Sequence, residues 1–161
     1  MLNRFLDFNG YGFVASKSYV AHLPYRDILG IQWISKELNR VPLPLKFKNQ
    51  FIGEIVLKKP KIDTKTFIKE GQPHIVMNIQ MEGDIFQFHK NVSIHTVKEE
   101  AENQIKKEIK TAYEKGIEKG IDVLQLSHIL YRDNLTLWRK YQKKGFIPLS
   151  TKGSVAKFEK S

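Results

Sequence analysis

The chain of 161 residues contains no cysteine. This absence excludes a disulfide framework, a thiolate metal site and a cysteine nucleophile. The chain also lacks any apolar run near the roughly 18 residues that a membrane-spanning helix needs. Its opening segment, MLNRFLDFNGYGF, has one Arg, one Asp and no continuous apolar region, unlike a signal peptide. We therefore expect the chain itself to be soluble, with no signal peptide and no transmembrane segment.

The sequence motifs of common enzymes are missing as well. There is no GxSxG elbow and no P-loop, and Gly10-Tyr-Gly lacks the third glycine and the following helix of a dinucleotide fingerprint. Most carboxylates lie on one Lys-rich segment, where a pair with separated pKa values has no evident place. The sequence therefore predicts no catalytic residue and no cofactor.

Histidine is the remaining source of metal ligands. His89 and His95 flank a predicted loop, and with Glu99 or Glu100 they could bind zinc. The predicted helices contain no HExxH pattern and no i,i+4 pair of ligands. Surface imidazoles are the favoured interpretation, and no metal site is predicted. A hydrolase that uses His89, His95 and Glu99 stays open as an alternative.

Positive charge is abundant and unevenly distributed, with a formal net charge of +10. Residues 46–69 hold seven Lys against Glu54 and Asp63, and residues 139–161 hold seven basic residues against Glu159. Such segments favour an acidic protein, an anionic lipid surface or a nucleic acid, although a solvated face is equally compatible. The candidate contacts with a partner or lipid are Lys58, Lys59, Lys61, Lys143, Lys144 and Lys157.

A nucleic-acid-binding domain is the alternative function that these segments suggest. Phe47, Phe51 and Phe146 lie beside the basic residues, and RNA-reading sheets combine Lys with aromatic residues in this way. However, no RNP-type motif is present, and the aromatic residues alternate as core residues do. Nucleic acid is therefore the less favoured partner.

Alternation of apolar residues predicts the strands. Residues 11–15 and 19–23 are expected to form a hairpin, and the two prolines of VPLPLKFKNQ exclude that segment from a central strand. The further predicted strands are residues 51–63, 74–81, 85–89 and 146–159, with breaks at Glu70-Gly71 and at Glu82-Gly83-Asp84.

Helical spacing of apolar residues predicts four helices. The first covers residues 23–39. The longest runs from Thr96 to Lys119, with a capping box of Thr96 and Glu99 and with Gly120 as its C-terminal cap. Two shorter helices follow at residues 123–130, capped by Asp122, and at 135–142. The predicted fold is α+β: a mostly antiparallel sheet of about four to five strands with the long helix and shorter helices packed on it, all within one domain of residues 1–161.

The stretch DVLQLSHILYRDNLTLWRKYQ concentrates aromatic, aliphatic and basic residues. Leu135, Trp138 and Tyr141 are three residues apart and can share one helical face. Tyr131 and Arg132 stand at the junction of two helices. Asp122, Asp133 and the carbonyl ends of helices are all available as partners for Arg132 and Arg139. We interpret this stretch as a packing and orientation motif that holds a helical layer on a sheet, with its Trp, Tyr and Leu side chains directed inward.

The same stretch resembles a known family signature. Asp122, Leu130, Tyr131, Arg132 and Trp138 match D-hydrophobic-hydrophobic-G-hydrophobic-G…L-Y-R-K…P…W-K of the C-terminal domain of spore-germination C-subunit lipoproteins, the GerAC or Ger(x)C family. The resemblance extends over nearly the whole chain from Gly10 onward. Gln125 and Ser127 stand where the signature has glycines, and its usual Pro is missing.

The resemblance implies a function. Members of the family lie on the outer face of the spore inner membrane as lipoproteins, and they work with an integral-membrane A subunit and a B subunit as a nutrient germinant receptor. They carry no known catalytic residues or cofactor. Members are longer, with a lipidated Cys and N-terminal domains, so we expect this chain to correspond to the C-terminal domain alone. The implied role is non-enzymatic: protein–protein contact within the receptor.

Overall fold

A computed structural model describes the backbone of residues 10–15, 18–89, 91–141 and 149–160, and the side chains of residues 10–12, 21–89 and 91–141. The strands are β1 Gly10–Ala15, β2 Ser18–Pro24, β3 Arg40–Phe47, β4 Gln50–Lys69, β5 Gln72–Phe88 and β6 Leu149–Lys160. The helices are α1 Gly30–Trp33, α2 Ile94–Glu118, α3 Leu126–Asp133 and α4 Leu135–Tyr141, with a 3-10 turn at Tyr25–Asp27.

The strands form two sheets. β1 and β2 make a separate antiparallel hairpin, and the larger sheet has the order β3-β4-β5-β6. Pairing is antiparallel between β3 and β4 and between β4 and β5, whereas β6 runs parallel to β5. The return from β5 to β6 passes through α2, α3 and α4, as a parallel connection requires. The predicted α+β class with a mostly antiparallel sheet is confirmed.

One face of the larger sheet and the apolar stripe of α2 form the core. Val97, Ala101, Ile105, Ile109 and Ala112 are buried along α2, as the predicted stripe requires. They pack in one cluster with alternate residues of the strands, Leu43, Leu45, Ile55, Leu57, Ile75, Met77, Ile79 and Met81. The opposite face of the sheet therefore carries the polar residues of the same strands.

The predicted helix of residues 23–39 is wrong. β2 continues to Pro24, a 3-10 turn follows, and α1 has only four residues. Gly30, a weak helix former, lies against the α2 backbone, where an added Cβ would be 2.4 Å from the Glu108 carbonyl oxygen. The apolar spacing of this segment is therefore satisfied by turns packed on α2.

The predicted exclusion of the proline-rich segment from a central strand is confirmed, whereas the predicted break at residues 82–84 is wrong. The proline-rich segment 40–47 forms β3 at the edge of the sheet, where alternate N–H groups need no partner. The predicted break at residues 82–84 is absent, since β5 runs through it. Glu82 and Asp84 form ion pairs with Lys59 and Lys58 of β4. These cross-strand pairs stabilise, within a strand, two residues of a type that is common in turns.

The sequence predicted the C-terminal cap of α2 but not its N-terminal cap. The Ser93 hydroxyl accepts the Thr96 backbone N–H at 3.1 Å, so Ser93 is the N-cap and the predicted capping box at Thr96 and Glu99 is wrong. Gly120 has φ +70°, and Ile121 N–H donates to the Gly116 carbonyl at 2.8 Å. This arrangement is a Schellman motif, and the predicted C-terminal cap is confirmed. Among the described residues, no helix is long and apolar enough to cross a membrane.

Candidate functional site: the α3–α4 end and the charged sheet face

Asp122 organises the start of α3. Its carboxylate accepts the backbone N–H groups of Leu126 at 2.9 Å and Ser127 at 2.7 Å. The N-cap position itself belongs to Gln125, whose side chain makes no capping bond and whose φ is +55°. Asp122 therefore supplies from three residues upstream the capping that Gln125 does not provide.

The same carboxylate acts on a neighbouring tyrosine of α2. Burial raises the pKa of the Tyr113 hydroxyl, and the negative charge of Asp122 raises it further. Tyr113 is half-buried and packs against the main core. The Tyr113 phenol is therefore uncharged where it packs against the core.

Arg132 and Asp133 connect the end of α3 to β4. The Arg132 guanidinium donates to the Thr64 hydroxyl at 3.0 Å and to the Asp133 carboxylate at 2.9 Å. The Thr66 hydroxyl donates to the other oxygen of Asp133 at 3.1 Å. These bonds cross 68 and 67 residues of sequence, so they fix the position of α3 on the second half of β4. Asp133 is one of the three kinds of partner that the sequence offered for this guanidinium.

The aromatic residues of α3 and α4 form a small exposed group. The Tyr131 and Trp138 rings pack edge to face with their centroids 5.0 Å apart, and His128 stacks on Tyr131 at 6.4 Å. Trp138 is half-buried against the core, and Leu137 is buried. Tyr131 is 49% exposed and Leu135 is 40% exposed, so the expectation that all these side chains point inward is wrong for these two.

A pocket of about 470 Å³ lies between α3, the segment after α1 and the middle of the sheet. Ile31, Ile62, Leu124 and Ile129 supply apolar lining, and His128 and Arg132 supply polar groups. Tyr131 and Trp138 do not line it. The volume suits a small ligand or a partner side chain.

Two of the three predicted contact lysines on β4 are neutralised by β5. Lys58, whose side chain is 18% exposed, donates to both oxygens of Asp84 at 2.8 and 2.9 Å, and Lys59 donates to Glu82 at 3.0 Å. The hydrogen bond from Lys58, together with the charges of Lys58 and Arg40, lowers the pKa of Asp84. Lys61 is exposed and has no carboxylate within 4 Å in the described part of the chain.

Of the other three candidate lysines, only Lys157 lies in a described part of the backbone. Lys143 and Lys144 lie outside the described residues. Lys157 belongs to β6, in register with Glu82 of β5. The backbone therefore places Lys157 beside Glu82, which pairs with Lys59. The contact role of Lys157 stays a prediction.

The histidines do not gather around a metal position. α2 begins at Ile94, so His95 lies in its first turn and contacts Glu99 at 3.1 Å, an i,i+4 pair that the sequence analysis did not expect. His89 instead packs edge to face with Phe51, with ring centroids 6.1 Å apart. Within residues 10–15, 18–89, 91–141 and 149–160, no three His, Asp or Glu residues are grouped to hold a metal ion.

Comparison with known proteins identifies the family. The family described as "Spore germination B3/ GerAC like, C-terminal" matches residues 9–152. The chain belongs to this family. Asp122 and Arg132, two of the residues on which the sequence resemblance was based, cap α3 and attach it to β4. The family resemblance predicted from the sequence is confirmed.

The fold of this GerAC-like domain is shared with a solved structure. The crystal structure of the GerBC protein superposes with a TM-score of 0.79 and 19% sequence identity, covering 96% of this chain and 51% of that chain. At this identity the likeness shows the fold, and the chain spans about half the length of the GerBC chain. No curated protein matches the sequence.

The exposed apolar side chains at the β3–β4 turn and near the end of β4 were not predicted from the sequence. Phe47 and Phe51 are 39% and 46% exposed, although their alternation suggested core positions. Ile68 is 60% exposed near the other end of the strand. Alternation alone cannot reveal this, because it reports which residues share a face and not where the packed helices stop.

Proposed function

We propose that this chain is a non-enzymatic domain of a germinant-receptor C subunit that acts through protein–protein contacts at the spore inner membrane. The match of residues 9–152 to the GerAC-like family carries the proposal. The A and B subunits of the receptor are the proposed partners. The geometry of this end of the domain supports a scaffold role, since Asp122 caps α3, and Arg132 and Asp133 attach it to β4.

The charged face of the sheet is the proposed contact with a receptor subunit. On β4, Lys58 and Lys59 are occupied by Asp84 and Glu82, whereas Lys61 is exposed without a carboxylate partner in the described residues. Lys61 therefore offers a full positive charge to an acidic partner at little desolvation cost to the domain. Lys58 and Lys59 contribute by joining β4 to β5 through their ion pairs with Asp84 and Glu82.

Co-purification tests this proposal. A tagged full-length protein containing this domain is extracted in detergent from spore membranes, and the A and B subunits are detected in the eluate. Lys61→Glu should reduce recovery of at least one subunit severalfold, because a like charge then faces the acidic partner. The matched control is Lys107→Glu on the exposed face of α2. Equal recovery for all three proteins would remove Lys61 from the interface, and absence of both subunits from the wild-type eluate would overturn the proposed partners.

A nucleic-acid contact is the second candidate, and the β3–β4 turn favours it. Phe47 and Phe51 are exposed there, and the Lys48 ammonium lies 5.4 Å from the centre of the Phe47 ring. Aromatic rings with cations are typical of single-strand binding surfaces. Titration with a labelled oligonucleotide decides the matter: salt-dependent binding supports this candidate, and no binding at low salt eliminates it.

A further inference from the structure

The structure brings together two basic segments that are about 70 residues apart in the sequence. The end of β4 contributes Lys65 and Lys69, and α4 contributes Arg139 and Lys140. The Tyr141 hydroxyl donates to the Gly71 carbonyl in the turn after β4, which fixes α4 beside that turn. A crevice of about 350 Å³ lined by residues of both segments marks the same junction.

The cations at this end are not neutralised. Lys65, Lys69, Arg139 and Lys140 are exposed, and none has a carboxylate within 4 Å among the described residues. Nearby, the charge of Arg132 is balanced by Asp133. By contrast, α2 pairs Lys110 with Glu114 and Lys115 with Glu118. Four exposed cations without a carboxylate partner among the described residues therefore lie where α4 meets the β4–β5 turn, which itself carries one exposed carboxylate, Glu70.

Exposed apolar side chains lie among these cations. Ile68 is 60% exposed, Tyr131 49% and Leu135 40%, and Trp138 is half-buried in contact with Tyr131. Ile68 lines the crevice together with Asn134, the residue directly before Leu135. Aliphatic tips, amphipathic Tyr and Trp rings and long basic side chains are the combination found at membrane–water interfaces.

We propose that this end, formed by Ile68, Tyr131, Leu135 and Trp138 with Lys65, Lys69, Arg139 and Lys140, docks on an anionic lipid bilayer. The cations contact lipid headgroups, and Ile68 and Leu135 enter the boundary of the acyl region. A nucleic acid fits less well, because exposed Ile and Leu side chains do not stack on bases or contact phosphates. In addition, the edge-to-face packing of Tyr131 on Trp138 occupies ring surface that base stacking would need. This inference adds a lipid contact to the proposed function and rests on its membrane location.

Vesicle binding by the 161-residue chain provides the test. Vesicles containing phosphatidylglycerol should bind the chain, whereas pure phosphatidylcholine vesicles should bind it weakly. Each basic residue near an anionic surface contributes about 1 kcal/mol, or roughly a fivefold change in partitioning. The quadruple variant K65Q/K69Q/R139Q/K140Q should therefore lose more than about 50-fold in partitioning. The control K106Q/K107Q/K110Q/K119Q makes the same charge change on α2 and its C-cap residue, and it should lose much less.

A second pair of variants tests the apolar contact. Ile68→Ser with Leu135→Ser should weaken binding about tenfold or more, while Phe86→Ser, at a side chain 74% exposed elsewhere on the sheet, should leave it unchanged. Trp138 emission should shift to shorter wavelength on binding, since Trp33 is already buried.

Three results would overturn the inference. Equal losses in the two quadruple variants would show attraction by net charge alone. If the variant with Ile68→Ser and Leu135→Ser bound the vesicles as tightly as the wild type, Ile68 and Leu135 would not insert into the bilayer. Absence of binding to phosphatidylglycerol vesicles would refute lipid docking, and capture of an acidic protein that the K65Q/K69Q/R139Q/K140Q variant fails to capture would then assign this surface to a protein partner. The co-purification experiment uses detergent extracts, so its outcome is independent of lipid docking.

Discussion

The indole N–H of Trp33 donates to the Glu108 carboxylate across 2.6 Å, joining two segments 75 residues apart. Trp33 is fully buried, and Gln104 donates to the other oxygen of Glu108 at 3.1 Å. This contact anchors the turns before β3 on the middle of α2. The N-terminal segment thus has a fixed position on the helix that covers the sheet.

Trp33→Phe should lower the free energy of unfolding by about 1–3 kcal/mol, because a buried hydrogen bond is lost and a smaller ring leaves a gap. Glu108→Gln keeps an oxygen acceptor and should cost less than about 1 kcal/mol. Urea unfolding followed by circular dichroism measures both, with Glu114→Gln on the exposed face of α2 as control. A Trp33→Phe variant as stable as wild type would show that this contact is not an anchor.

Gly30 should tolerate no side chain. A Cβ there would lie 2.4 Å from the Glu108 carbonyl oxygen and 2.5 Å from the Ile109 Cα, and these backbone atoms cannot move without shifting α2. Gly30→Ala should therefore cost about 3 kcal/mol. Gly71→Ala is the matched control, since φ is +75° there but no atom lies within 4 Å, and its cost should be about 1 kcal/mol. Thermal unfolding of the two variants should show the larger fall for Gly30→Ala.

Gln125→Gly should stabilise the domain. Gln125 occupies the left-handed region with φ +55° and ψ +38°, a conformation that costs a residue with a Cβ about 1 kcal/mol. Glycine removes that cost, partly offset by the greater entropy of the unfolded chain. Gln125→Ala keeps the Cβ and should stay within about 0.5 kcal/mol of wild type. A glycine variant less stable than the alanine variant in urea would contradict the strain assigned to this position.

Acid should weaken the link between β4 and β5. The hydrogen bond and charge of Lys58 hold the pKa of Asp84 below its ordinary value of 3.8. The pair therefore contributes its full stability above the ordinary pKa and loses it as pH falls through the lowered value. Asp84→Asn should flatten this part of the stability–pH profile and destabilise the domain at neutral pH. Unfolding measured from pH 7 down to pH 2 checks it, and an unchanged acid limb would contradict the assigned role of Asp84.

Much of this fold could be predicted because its signals are local. The apolar stripe of α2, the glycine at its end and the turn at Glu70 and Gly71 follow from spacing and backbone preference. The continuity of β5 could not be predicted, since it depends on Lys58 and Lys59 of another strand. The short α1 likewise depends on the approach of Gly30 to α2, which is a tertiary contact.

The candidate surfaces were predicted in part. The sequence singled out the basic segments and the motif of Asp122, Tyr131, Arg132 and Trp138, but could not show which charges are neutralised. Lys58 and Lys61 look alike in sequence, yet Asp84 on β5 pairs with only the first. The exposure of Tyr131 depends on where the core ends beneath α3, which helical periodicity does not report.

Site-specific photo-crosslinking in intact spores tests the proposed receptor contact most directly. A benzophenone amino acid replaces Lys61 in the full-length protein, and the same probe at Glu114 on the exposed face of α2 serves as control. The account predicts a covalent adduct between the Lys61 position and the A or B subunit of the receptor, with little or none from Glu114. Functional spores that give no subunit adduct at Lys61, or equal adducts at both positions, would contradict it.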